Sequence, residues 1–130
     1  MCLIKIEETA RIATEPVKVY KILTLGNRSP FQYQEYHIGK NVPHINKDIS
    51  ASWGRTINGG YLHAYMNKFK AYTYIREMFP NVDDSSGRFF KVVEMYIPAG
   101  TEYWLGEGSE VAAECLYWPE DGNDNNINNK

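Results

Sequence analysis

Apolar and polar residues alternate over Val17–Leu25 (VKVYKILTL), a stretch rich in β-branched side chains, which predicts a strand. The alternation sends Val17, Val19 and Leu23 to one face, with Lys21 interrupting them, and Tyr20 and Ile22 to the other. GNRSP at 26–30 breaks the pattern, and FQYQEYHIGK predicts a short strand ending at Gly39. From Lys40 to Gly60 no period is sustained. Pro43, Gly54 and Asn58-Gly59-Gly60 predict a long loop with room for a helical turn, and loops of that length are often functional.

GGYLHAYM restores the alternation. Leu62, Ala64 and Met66 form a core-facing set, while Tyr61, His63 and Tyr65 are three polar-tipped rings in a row that can line a cleft. Asn67 is placed to cap a helix whose apolar positions are Phe69, Tyr72, Ile75 and Met78 or Phe79, ended by Pro80. NVDDSSG is a linker. Phe89–Ile97 and Val111–Trp118 are further strands, separated by a glycine-punctuated loop that carries Glu102 and Glu107. The last connections are too short for crossover helices, so the pairing is mostly antiparallel. The predicted class is α+β, one domain over 1–120 with one main helix, and 121–130 a polar disordered tail.

Composition changes this picture in a few places. A net charge of −2 with mixed signs argues against a nucleic-acid backbone as partner. Ten Tyr, three Trp and five Phe offer stacking faces, or they simply fill a small β-rich core; the counts leave both readings open. Two cysteines, Cys2 and Cys115, make no disulfide framework. No apolar run approaches a membrane span and no charged leader opens the chain, so the expectation is a cytoplasmic protein with no membrane partner.

Candidate chemistry is sparse. His37, His44 and His63 lack the spacing of a metal site, and no cofactor motif is present, so neither metal nor cofactor is expected. Cys115 falls inside a predicted strand, where burial raises a thiol's pKa. Among the carboxylates, Glu110 opens the last strand and Glu114 lies within it. Glu110 is the candidate catalytic residue, and solvated strand ends are the alternative.

MCL at the start, VYKIL at 19–23, SPFQ at 29–32, HAY at 63–65, IPAGTEYWLGEG at 97–108 and EVAAECLYW at 110–118 occur in this order. In this the chain resembles a family of small uncharacterised proteins of gut bacteria and their phages, which brings no established activity. It is more distantly similar to the ADP-ribosyltransferase fold. That resemblance places Lys21 at the first-strand position of an Arg or His, the Tyr61/His63/Tyr65 strand at the middle motif, and Glu110 at the catalytic Glu. Lys stands where Arg or His is usual and no Ser-Thr-Ser occurs, which points to binding without catalysis.

The expected function is therefore non-catalytic binding of a nucleotide-derived small molecule by Lys21, Arg28, Arg55, Tyr61, His63 and Tyr65. Rings would stack on the base and cations would meet phosphate. In a phage protein acting in the host cytoplasm, such binding would counter host defence signalling. Two alternatives are an enzyme using Glu110, and an inhibitor of a host protein that docks through exposed Trp53, Trp104 and Trp118.

Overall fold

The alternation of Val17–Thr24 becomes strand β2, which runs antiparallel to β7 (Phe90–Ile97) along its whole length, from Val17↔Ile97 to Thr24↔Phe90. The computed structural model describes residues 6, 9–24, 26–29, 34–44, 48–50, 56–78 and 90–119. Around the β2–β7 pair the chain builds an eight-stranded antiparallel sheet. The other strands are β1 (Arg11–Ile12), β3 (Gly39–Asn41), β6 (Leu62–Tyr65), β8 (Glu102–Leu105), β9 (Glu110–Ala113) and β10 (Leu116–Trp118). Their spatial order is β1-β8-β9-β6-β2-β7-β10-β3. A separate hairpin joins β4 (Asp48–Ser50) to β5 (Thr56–Gly59), and helix α1 spans Lys68–Met78. The result is one α+β domain.

The order of the strands requires the sheet to roll. β9 and β10 lie four strand positions apart, about 19 Å across a flat sheet at ordinary spacing. Only Glu114 and Cys115 separate them in sequence, and Ala113 to Leu116 spans at most about 11 Å. The chain can make that step only if the sheet curls until the end of β9 meets the start of β10. Backbone bonds fasten the neighbouring connections: Ala13 N–H donates to Thr101 O at 3.0 Å, Gly100 N–H to Ala13 O at 2.7 Å, and Glu114 N–H to Glu102 O at 3.1 Å.

Each face of the rolled sheet has its own core. The first gathers Val19, Leu23, Leu62, Ala64, Met95, Ile97, Val111, Ala113 and Leu116, all shielded from water. The second splits into two clusters. One is Tyr61, Trp104 and Ala112; the other is Ile22, Tyr65 and Phe90 under Ala71 and Ile75 of α1. Burial of this kind contributes about 25 cal/mol per Å² of apolar surface and is the main force closing the fold.

Several elements differ from the sequence pattern, each for a local reason. The strand expected to end at Gly39 begins there instead, where the Asn41 side chain binds the backbone of His37 and Gly39. The region from Lys40 to Gly60, expected as a loop, holds β3, β4 and β5; TING (56–59) brings β-branched residues that favour extended chain. Glu102–Leu105 is a strand, not part of a loop. The strand expected over Val111–Trp118 is two strands with a corner at Glu114–Cys115, so Glu114 shares no strand face with Ala112 and Leu116. Met66 has left β6 and is 38% exposed, so it is not core.

Asn67 does cap α1, its Oδ1 accepting the Phe69 N–H at 2.8 Å. The buried stripe of α1 is nevertheless Ala71 and Ile75 with Tyr74 beside them, and Phe69, expected inward, is 79% exposed. Ala71 and Ile75 are buried with Tyr74 packed beside them, and Phe69 and Tyr72 take the exposed side of the helix. Phe79, Pro80 and the tail 121–130 lie outside the described residues.

Asn41 pins the edge strand. Its Oδ1 accepts the His37 N–H at 3.0 Å, and its Nδ2 donates to His37 O at 2.9 Å and Gly39 O at 3.1 Å, all with the side chain buried. Asn41→Ala leaves these backbone groups without partners, so urea unfolding is expected to show a loss of about 2–3 kcal/mol. A loss under about half a kcal/mol would mean that water replaces the amide fully.

Candidate functional site

Lys21 sits at the least regular point of the sheet. β2 and β6 are neighbours, yet Tyr20↔Tyr65 is their single paired position. Where the ladder stops, the Lys21 Nζ donates to the His63 carbonyl at 2.7 Å and lies 5.1 Å from the centroid of the Tyr36 ring. The side chain belongs to the first face, among Val19 and Leu23, and burial brings its pKa down to about 7. Burial also pushes the Tyr36 phenol up. This lysine completes a strand seam and is shut away from water, so a phosphate cannot reach it without opening the core.

Tyr61, His63 and Tyr65 share the second face, as their alternation requires, but all three are buried and do not form an open cleft. The reason is that this face is also covered. Tyr61 packs with Trp104 and Ala112 and donates its hydroxyl to Glu102 Oε2 at 3.1 Å. Tyr65 packs beneath α1. His63 is buried beside Ala112, its partner across the β6–β9 ladder, and its Nδ1 has no hydrogen-bond partner. Burial, and then the Lys21 charge, lower its pKa to about 3, so it is neutral at physiological pH.

What the fold does bring together near solvent is Glu110, Tyr65 and Tyr74. Glu110 opens β9 directly across from Tyr65. The Tyr65 and Tyr74 rings are 5.8 Å apart and tilted by 44°. Burial, with help from Glu107, raises the Glu110 carboxyl above the usual range. Burial and then Glu110 raise both phenols, Tyr74 to about 12. Tyr74 and Glu110 are only half-buried, so a ligand can meet one carboxyl and one ring edge over a buried tyrosine floor. Such a set accepts hydrogen bonds from amino, amide or hydroxyl groups and offers an aromatic face.

The other expected residues do not join this group. Arg28 is exposed in a bridge with Glu35 at the end of a turn, and Arg55 and Trp53 lie outside the described residues. Trp104 and Trp118 are buried, which removes them as exposed docking anchors: each fills a cluster on one face of the sheet. Among the described residues no group of His, Cys, Asp or Glu is arranged to hold a metal ion, and no helix is long and apolar enough to cross a membrane. Tyr74 was missed in the sequence. Its signal was its place three residues after Ala71, on the side of α1 that turns to the sheet. Comparison of the chain with protein-family models, curated proteins and solved structures finds no match.

Proposed function

We propose that this protein binds a nucleotide-derived small molecule at the Glu110–Tyr65–Tyr74 patch and does not transform it. The observation that carries the reading is the placement of Glu110: a half-buried carboxyl at a strand opening, paired across the ladder with Tyr65, whose ring packs 5.8 Å from that of Tyr74. The carboxyl would accept from an exocyclic amine or a ribose hydroxyl, and Tyr74 would flank the ring. Lys21, buried and bonded to the His63 carbonyl, supplies no phosphate contact, so the patch would hold the molecule by its base or sugar. In a phage setting, holding such a molecule would sequester a host signalling nucleotide.

The same carboxyl also suits a second reading, an enzyme in which Glu110 is the acid or base. One experiment separates the two. Wild type, Tyr74→Ala and Glu110→Gln are incubated with nicotinamide dinucleotides and cyclic nucleotides, and bound material is released by heat and separated by chromatography. Intact ligand from wild type, with affinity about tenfold or more weaker in Tyr74→Ala, is the expected result. Converted ligand from wild type but not from Glu110→Gln replaces binding by catalysis. No retained ligand from any form rejects both. Tyr65 is not the residue to truncate, because a buried Tyr→Ala change costs several kcal/mol of stability.

A further inference from the structure

The corner that rolls the sheet also shapes a cleft of about 450 Å³, separate from the Glu110 patch. Its walls come from three places: Lys40 and Val42 at the β3 edge, Pro98 and Thr101 in the β7–β8 turn, and Glu114 and Cys115 at the β9–β10 corner. We propose that this cleft is a binding site for a small zwitterion of the amino-acid class, its carboxylate on Lys40 and its ammonium on Glu114.

The cleft carries one cation and one anion, so a ligand with a single net charge would meet a repelling partner. Lys40 and Glu114 both line this cleft, with Cys115 between their elements. Lys40 is exposed, and its ammonium makes no hydrogen bond or ion pair among the described residues, leaving it available to a carboxylate. Glu114 is half-buried, where a charge-assisted hydrogen bond is stronger than in open water, and it is already engaged within the protein, so the ligand's ammonium would share it. Val42 and Pro98 give the apolar wall that a side chain needs, and the Thr101 hydroxyl is a further polar anchor. The site is also held in place: Thr101 takes part in the bonds to Ala13 and Pro98, and the Glu114 N–H is bound to Glu102 O.

The test is an amide-shift titration of the full chain by NMR with the free L-amino acids one at a time, up to about 10 mM. At least one should give saturable shifts centred on Thr101, Glu114 and Cys115, while its N-acetyl and carboxamide derivatives give none. Lys40→Met and Glu114→Gln, each keeping the wild-type melting temperature, should weaken the binding about tenfold or more. The proposal is overturned if no amino acid shifts these amides, or if the N-acetyl form binds as well as its parent. Acetate or inorganic phosphate binding as tightly as any amino acid would make the cleft a plain anion site and overturn it too. Binding unchanged in both variants has the same consequence.

Discussion

Lys21→Met is expected to raise the free energy of unfolding at pH 7 by about 2–4 kcal/mol, an unusual gain for a change at the centre of a fold. The native state lowers the lysine's pKa from 10.5 to about 7, whereas the unfolded chain keeps the ordinary value. Between those values the unfolded state holds a proton that the folded state has released. Stability is therefore fully present above 10.5 and is lost as pH falls to about 7, by at most about 1.4 kcal/mol per pH unit. Methionine removes a penalty of up to about 5 kcal/mol. It also leaves the His63 carbonyl without its donor, which costs about 1–3 kcal/mol and sets the net.

The decisive measurement is urea unfolding of both proteins between pH 7 and about 9.5, below the range where tyrosines of the unfolded chain ionise. Wild type should gain stability across this window relative to Lys21→Met, whose own curve falls slightly as the unfolded chain's Cys115 thiol, raised in the fold, ionises. Parallel curves would mean that the ammonium is solvated and that its contact with the His63 carbonyl is not a buried one.

His63→Leu should separate from wild type on the acid side. The folded-state pKa of about 3 lies below the ordinary 6.5, so this histidine's contribution is complete above 6.5 and disappears as pH falls towards 3. Near pH 7 the two proteins should differ little, since leucine has similar volume and the Nδ1 has no partner to lose. At pH 4 the variant should be more stable by about 3 kcal/mol. Acid unfolding curves that superimpose would show that wild-type His63 charges without leaving the native structure.

The strands on either side of the central seam could be read from the chain because one face of each is buried and alternation must follow. Val17, Val19 and Leu23 point together for that reason, as do Leu62 and Ala64. Alternation reports only which face a side chain takes, not whether that face is open. Tyr61, His63 and Tyr65 therefore looked like a cleft wall, whereas α1 and the Trp104 cluster cover them. The corner at Glu114–Cys115 was hidden as well, since EVAAECLYW is a continuous strand-like string and its bend is set by distant pairings. Glu110 was picked out as the opening of a strand, and β9 does begin there. Tyr74 was not, because helical spacing favoured Phe69 and Tyr72 as the inward stripe.

The β2–β7 ladder sets a condition on how the protein is made. Every pair in it, from Val17↔Ile97 to Thr24↔Phe90, joins residues between 66 and 80 positions apart along the chain. A ribosome adding about 5–20 residues per second leaves β2 without that partner for several seconds. During that time Val19, Ile22 and Leu23 form an unpaired apolar edge of the kind that recruits other nascent chains. Lys21 lies in the middle of that segment. In the unfolded chain it is fully charged at cellular pH, and a charge within such a run opposes self-association. The residue that weakens the finished fold would thus protect the unfinished one, so Lys21→Met should give a protein that is harder to unfold and poorer in soluble yield.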